Sequence, residues 1–80
     1  MEINTFWRLP VVERDQGLKK SAINDRIHAG LFPKPVSLGG NAVAWVASEI
    51  RALNSARIAG KSDAEIRILV EALESARRSA

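Results

Sequence analysis

Residues 17–45, GLKKSAINDRIHAGLFPKPVSLGGNAVAW, decide the fold of this chain. Gly17 tolerates the left-handed conformation that ends a helix, so a helix preceding it would stop there. Only Leu18 and Lys19 then intervene before a second helix can begin, which is the short joint of a helix-turn-helix. A Gly-Gly turn between two short apolar runs follows, and Trp45 closes it. The order helix, turn, helix, hairpin predicts a helix-turn-helix with a wing.

The second helix of this unit is predicted from about Lys20 to Ala29. Ile23 and Ile27 are four residues apart and lie on one face, and Leu31 follows beyond Gly30. A rotation of 100° per residue places polar side chains on the opposite face, namely Ser21, Asn24, Asp25 and His28. The helix is therefore amphipathic, and its polar face can donate and accept hydrogen bonds.

The wing is predicted over residues 34–45. The segment Phe32-Pro33-Lys34-Pro35 cannot be helical, because each proline forces the residue before it into extended geometry. Two strand-like runs, residues 36–38 and 42–45, bracket Gly39-Gly40-Asn41, and these residue types tolerate positive φ. A tight hairpin is the natural arrangement.

Helices are also predicted on either side of this unit. An extended run over residues 6–9 is stopped by a proline, and a short helix from Pro10 to about Gln16 would bury Val11 and Val12. After the hairpin, a third helix is predicted from about Ala47 to Ala59.

A further helix is predicted at the C-terminus. Ser62 and Glu65 have the spacing of a capping box, in which each residue bonds the backbone of the other. Two opposite-charge pairs at i,i+4 spacing should each stabilise the helix by about 0.2–0.5 kcal/mol. They are Asp63–Arg67 and Glu74–Arg78.

Four apolar side chains form a stripe along this last helix: Ile66, Leu69, Val70 and Leu73. The stripe must be covered, either by its own domain or by a second copy of the chain, since otherwise it would leave an exposed apolar patch. We therefore divide the chain into a winged helix-turn-helix domain, residues 1–60, and a C-terminal amphipathic helix for packing or dimerisation, residues 61–80.

Composition restricts the classes of function. Eighty residues make one small domain, and the chain has no cysteine and one histidine. We therefore expect no disulfide, no metal site and no cofactor. The single histidine does not support a Ser-His-Asp set, and no glycine-rich phosphate loop with its lysine is present. We expect no catalytic residues and no enzymatic activity.

The basic charge lies in the predicted helix-turn-helix unit. Residues 1–60 hold eight Lys/Arg and five Asp/Glu, whereas residues 61–80 hold four of each, so the first part carries the whole net charge of +3. Such an excess is mild, and it supports a nucleic-acid partner only together with the fold.

The polar face of the second helix has the chemistry of a major-groove reader. Candidate DNA-binding residues of this recognition helix are Lys19, Lys20, Ser21, Ala22, Asn24, Asp25 and His28. Asn pairs with adenine, Asp accepts from cytosine and an Ala methyl suits thymine, while lysines at a helix start favour phosphate. An ordinary solvated helix face would have the same composition, and the adjacent wing is what favours DNA.

The wing adds a second set of candidates: Lys34, Gly39, Gly40 and Asn41. A tip without side chains lets the backbone approach a phosphate or the minor groove closely. Trp7 and Trp45 are expected to pack in the core rather than to stack on bases.

The chain resembles the AlpA family of phage-type DNA-binding regulators over about residues 6–58. The residues that carry the resemblance are Arg8-Leu9-Pro10, Gly17-Leu18, Ser21, Ile23, Gly30, Phe32-Pro33, Pro35-Val36, Leu38-Gly39-Gly40, Val43 and Trp45. The resemblance implies a fold similar to the winged-helix domains of MerR-type regulators and phage excisionases. It also implies a role in controlling prophage genes or prophage excision, without enzymatic activity.

Some positions depart from the family pattern. Asn41 stands where the family usually has arginine, which removes an ion pair between wing and phosphate. Ala22 and Asn24 replace the usual Thr and Tyr, and Asp25 often has a basic counterpart. Asp25 would repel phosphate unless it reads a base or pairs with Arg26.

We therefore predict a mainly α protein with a small β-hairpin wing, which binds double-stranded DNA as a transcriptional regulator or excisionase-like factor of a prophage or mobile element. The alternative is a protein–protein adaptor with weak or no DNA binding. Further candidate partners are a second copy of the chain, through the C-terminal helix, and an integrase or polymerase. The sequence has no apolar run long enough for a membrane span and no signal-peptide start, which predicts a cytoplasmic, nucleoid-associated protein.

Overall fold

The computed structural model describes residues 5–77 and has the predicted winged helix-turn-helix with an added C-terminal helix. Its elements follow in chain order: β1 Phe6–Trp7, α1 Leu9–Gln16, α2 Lys20–His28, β2 Val36–Gly39, β3 Ala42–Val46, α3 Ala47–Ile58 and α4 Asp63–Ala76. The predicted helix ends of α1, α2 and α3 are confirmed to within one residue.

The joint between α1 and α2 forms as the sequence predicts. Gly17 ends α1 with φ 68° and ψ 28°, and its N–H donates to the carbonyl of Glu13. A left-handed residue at this position favours glycine because it has no Cβ to clash with the backbone. Lys19, in extended geometry, is the N-cap residue that precedes α2.

Helix α1 buries one of its two adjacent valines. Val12 is fully buried, whereas Val11 is 37% exposed, so the expectation that both would be buried was wrong for Val11. Consecutive helical residues point about 100° apart, and α1 turns the side that carries Val12 toward the core.

The sheet has three antiparallel strands in the order β1-β3-β2. In the first pair Trp7 lies opposite Trp45, and in the second Val36 lies opposite Ala44. A bulge between Ser37 and Gly39 leads into the hairpin turn. The predicted extended run over residues 6–9 is shorter in the structure, because α1 already begins at Leu9.

One hydrophobic core joins both parts of the chain. Its buried residues are Val12, Ile23, Phe32, Trp45, Ile50, Leu53, Ile66 and Val70. They come from α1, α2, the connection to the wing, β3, α3 and α4. Because Ile66 and Val70 are buried in this core, part of the apolar stripe on α4 packs against its own chain.

The N-terminus of α4 carries the predicted capping box. The hydroxyl of Ser62 accepts from the Glu65 N–H at 3.2 Å, and a carboxylate oxygen of Glu65 accepts from the Ser62 N–H at 2.9 Å. The hydrogen bond from the Ser62 backbone, followed by that from its side chain, lowers the pKa of Glu65, because both stabilise the charged carboxylate.

Of the two charge pairs predicted along α4, one is not formed and the other involves a residue that the structure does not describe. Asp63 pairs with Arg57 of α3 at 3.3 Å instead of with Arg67, so the Asp63–Arg67 prediction was wrong. Arg67 turns away from its own helix and donates to the carbonyl of Ala29. Each of the two residues thus has a partner outside α4: Asp63 accepts from Arg57, and Arg67 donates to Ala29. The Glu74–Arg78 prediction involves a residue outside the described part of the chain.

Candidate nucleic-acid interface

The polar face of α2 points away from the core. Ile23 is fully buried on the inner side. The outer side presents the exposed side chains of Lys19, Lys20, Ser21, Asn24, Asp25 and His28. Ala22 is half-buried. The structure therefore brings all seven recognition-helix candidates onto one short helix, with six of them open to a ligand.

The N-terminus of α2 is the positive end of this face. Lys19 is the N-cap residue and Lys20 the first residue of the helix, and the first turn has no acidic residue. Within residues 5–77 no side chain caps this terminus. The first N–H groups of a helix lack partners within it and carry a partial positive charge, so the backbone and the two ammonium groups attract an anion to the same end.

Asp25 stands on the same face without a charge partner. Among the described residues its carboxylate forms neither an ion pair nor a hydrogen bond, so the suggested pairing with Arg26 is not formed. An exposed carboxylate here repels phosphate and accepts hydrogen bonds from donors such as the amino group of cytosine.

Strands β2 and β3 form the wing, with a tip made of backbone. Gly39 and Gly40 have φ 109° and 56°, and a Cβ at either position would meet no atom within 4 Å. The glycines are therefore needed for backbone conformation rather than for space inside the protein. The Gly39 N–H donates to the hydroxyl of Ser37 at 3.2 Å, and Asn41 is exposed beside the turn.

The wing carries no charge beyond its base. Between Lys34 and Glu49 the sequence has no acidic or basic residue. Two apolar side chains are instead exposed on the hairpin, Leu38 at 44% and Val43 at 41%. Beyond its base the wing can therefore contribute main-chain hydrogen bonds and apolar contacts, and the charge of the wing is that of Lys34 at the base.

Lys34 lies at the base of the wing with its side chain exposed and its backbone held. Its N–H donates to the Glu74 carboxylate at 2.9 Å, and its carbonyl accepts from the Arg77 guanidinium at 2.7 Å. The neighbouring carbonyl of Pro33 accepts from the indole Nε1 of Trp45 at 3.0 Å. Trp45 is buried, so the expectation that it packs in the core is confirmed.

A buried ion pair close to the wing was missed by sequence reasoning. Glu49 is 6% exposed, and the Arg77 guanidinium donates to both of its carboxylate oxygens at 2.8 and 2.6 Å. This contact raises the pKa of Arg77. The two residues are 28 positions apart, and no local pattern in the sequence connects them.

Trp7 also has a partner that the sequence did not predict. The guanidinium carbon of Arg51 lies 5.4 Å from the centre of the Trp7 ring, within the range of a cation–π contact. Trp7 is half-buried, and its ring is therefore shared between the core and this arginine.

The candidate dimerisation residues divide into two groups. Ile66 and Val70 are buried within the chain, and a second copy cannot reach them in this fold. Leu69 and Leu73 are half-buried, and Ile68, which the prediction did not include, is 68% exposed. Any contact between copies along α4 would use this second group.

The described residues contain no group of three His, Cys, Asp or Glu side chains that could hold a metal ion. Nor does any helix among them combine the length and apolar character of a membrane span.

Comparisons with known proteins match this chain to one family and to a phage protein. A family described as "Prophage CP4-57 regulatory protein (AlpA)" matches residues 5–58, which is more than half of the chain. The chain is also similar to an "Uncharacterized protein ORF88" of Enterobacteria phage P4, with 48% identity over 56 residues. That alignment covers 70% of this chain and 64% of the phage protein, so it spans less than two thirds of the relative's length. No solved structure matches significantly.

Proposed function

We propose that this chain, which belongs to the AlpA family of prophage regulatory proteins, binds duplex DNA sequence-specifically. Its output would be transcriptional control or an excisionase-like role in a prophage or related mobile element. The observation that carries the proposal is the exposed face of α2, which combines two lysines at a helix N-terminus with short hydrogen-bonding side chains.

The two parts of the surface would contribute in different ways. Lys19 and Lys20 would contact phosphates and set the orientation, while Asn24, Asp25 and His28 would reach base edges in the major groove. The uncharged wing would lie against the sugar–phosphate backbone or in the minor groove. Because the wing has no cation between Lys34 and Glu49, the salt dependence of binding should come from the two lysines of the helix and from Lys34 at the wing base.

Replacing Lys20 and Asn24 separately should distinguish these contributions. Lys20→Ala is expected to weaken binding to every duplex and to reduce the slope of log K against log salt by about one. Asn24→Ala is expected to leave that slope unchanged and to alter the preference among sequences at one base pair, by about 1–3 kcal/mol. Fluorescence anisotropy on a set of single-substitution duplexes at several salt concentrations measures both quantities.

Lys61→Ala is a suitable control for these variants, because it removes an exposed lysine from the connection between α3 and α4, outside the proposed face. If Lys20→Ala and Asn24→Ala both bind as the wild type does, α2 is not the recognition helix.

The function itself is tested by titrating labelled duplexes with the wild-type protein at two salt concentrations. One set has random sequence and the other comes from the control region of the element that encodes the protein. Tight binding that weakens steeply with salt and prefers the control region supports the proposal. A folded, monodisperse protein that binds neither duplex at low salt contradicts it.

The absence of binding would favour the adaptor function. Asp25 and the uncharged wing are the features that suit a protein partner, such as an integrase or polymerase, better than a polyanion. Lys19 and Lys20 are the features that favour DNA.

Pairing of two copies of the chain would extend the DNA site. Two recognition helices in successive major grooves would lie about 34 Å apart and read a roughly palindromic sequence. Leu69, Leu73 and Ile68 are the α4 side chains available for such pairing. Sedimentation of the protein with and without DNA measures the number of copies bound.

A further inference from the structure

Helix α4 contacts both elements of the proposed DNA-binding face. Arg67 lies in the N-terminal half of α4, and its Nε donates to the carbonyl of Ala29, the C-cap residue of α2, at 2.8 Å. At its C-terminal end, Glu74 and Arg77 hold the backbone of Lys34, where the wing begins. Arg67 and Arg77 are ten residues apart, which corresponds to about 15 Å along a helix. The helix thus spans from the end of α2 to the base of the wing.

The segment that leads into the wing depends on α4 for its backbone hydrogen bonds. Lys34 lies between two prolines, which have no N–H to donate. Both polar groups of the Lys34 backbone are bonded to α4, the N–H to Glu74 and the carbonyl to Arg77. In the sequence these partners are 40 and 43 residues away.

Arg77 joins the two ends of the hairpin through one guanidinium group. Its Nη2 donates to the carbonyl of Lys34, ahead of β2, and also to the Glu49 carboxylate in the first turn of α3, just after β3. Its Nε donates to the other oxygen of Glu49. The planar guanidinium holds this two-point contact in a fixed geometry. The chain entering the wing is therefore held against the chain leaving it.

Core packing gives strand β2 little support. None of its four residues, all within the described part of the chain, is buried. Its orientation depends on hydrogen bonds to β3 and on the contacts at its base. A small rotation at the base would be magnified at Gly39 and Gly40 at the tip.

We infer that α4 sets the angle of the wing relative to α2, and that Arg77 is the positioning residue for the wing. The effect on DNA rests on the proposed function, whereas the effect on the wing does not. The matched family region ends at residue 58, before α4 begins, so this support lies outside the part of the chain that the family match covers.

The test compares two double variants that each remove one ion pair and leave the net charge unchanged. Glu49→Gln with Arg77→Met removes the pair at the wing base. Asp63→Asn with Arg57→Met removes the exposed pair at the other end of α4 and is the matched control. The measurements are amide hydrogen exchange of residues 36–46 by NMR, and affinity for the preferred duplex.

In the Glu49/Arg77 variant we expect wing amides to exchange about tenfold faster relative to those of α3, because local opening is less costly. The affinity for DNA should fall roughly tenfold. The Asp63/Arg57 variant should match the wild type in both measurements. Unchanged wing exchange in the first variant, or an equal change in the control, would overturn the inference.

Two further outcomes are decided by the same data. If the wild-type protein binds no DNA, the proposed function fails, and the exchange rates still decide whether Arg77 positions the wing. If the Glu49/Arg77 variant does not fold, Glu74→Ala takes its place, since it leaves the ion pair intact. Faster exchange at Lys34 and along the wing is then expected, and wild-type exchange there would overturn the inference.

Discussion

Replacing Phe32 with alanine is expected to lower the free energy of unfolding by about 3–5 kcal/mol. Phe32 is 1% exposed and is among the largest fully buried side chains. It lies between α2 and the wing and packs in the core that α4 completes. A domain of this size has a total stability of about 5–15 kcal/mol, so the loss would leave a large unfolded fraction. Urea unfolding followed by circular dichroism measures it.

Phe6→Ala is the control for this prediction. The same side chain is removed, but Phe6 is 48% exposed at the edge of the sheet. Only part of its transfer free energy is lost, and the expected cost is about 1 kcal/mol. Equal costs at the two positions would mean that the core does not close around Phe32 as the structure has it.

Breaking the Glu49–Arg77 pair from its two sides is expected to have unequal costs. Arg77→Met leaves a carboxylate that is 6% exposed without its partner and should cost about 3 kcal/mol. Glu49→Gln leaves a guanidinium whose side chain is 25% exposed, which can turn toward water, and should cost about 1 kcal/mol. Urea unfolding of both variants measures the difference.

Arg57→Met provides the reference for an exposed pair. Arg57 and Asp63 are 34% and 60% exposed, and such pairs contribute about 0–1 kcal/mol. If Arg77→Met costs no more than Arg57→Met, the Glu49 carboxylate is hydrated in solution and the pair is not a stabilising contact.

Most of the local structure was predictable because its causes lie within a few residues. Gly17 ends α1, the prolines around Lys34 end the helical region, and Gly39-Gly40 makes the hairpin turn. The capping box of Ser62 and Glu65 was predicted for the same reason. In each case the conformation follows from the allowed φ and ψ or from one nearby hydrogen bond.

The predictions were wrong where contacts in the folded chain decide between two locally acceptable arrangements. The sequence could not tell which of Val11 and Val12 turns inward, because that depends on the side from which α1 meets the core. Asp63 had Arg67 within reach one helical turn away, yet pairs with Arg57. An exposed i,i+4 pair stabilises a helix by only about 0.2–0.5 kcal/mol. Arg67 therefore readily donates to the Ala29 carbonyl instead of to Asp63.

The candidate DNA face was also accessible from sequence, since helical periodicity separates Ile23 from the polar side of α2. The roles of individual residues on that face remain predictions, and the Lys20 and Asn24 variants address them. The contacts of α4 that hold the base of the wing could not be predicted from the sequence. Glu74 was predicted to pair with Arg78 of its own helix, and the sequence indicated no role for Arg77 or Glu49.

The sequence by itself determined the order of helices and strands, the turn residues, and the side of α2 that faces outward, because φ/ψ preferences and hydrophobic periodicity act over a few residues. The tertiary structure decided which side of α1 is buried, that Ile66 and Val70 pack within the chain, and that α4 holds the ends of the wing. The hydrogen bonds at the ends of the wing join residues 28 to 43 positions apart. Their free energy depends on distance and burial in the folded chain, which no local pattern specifies.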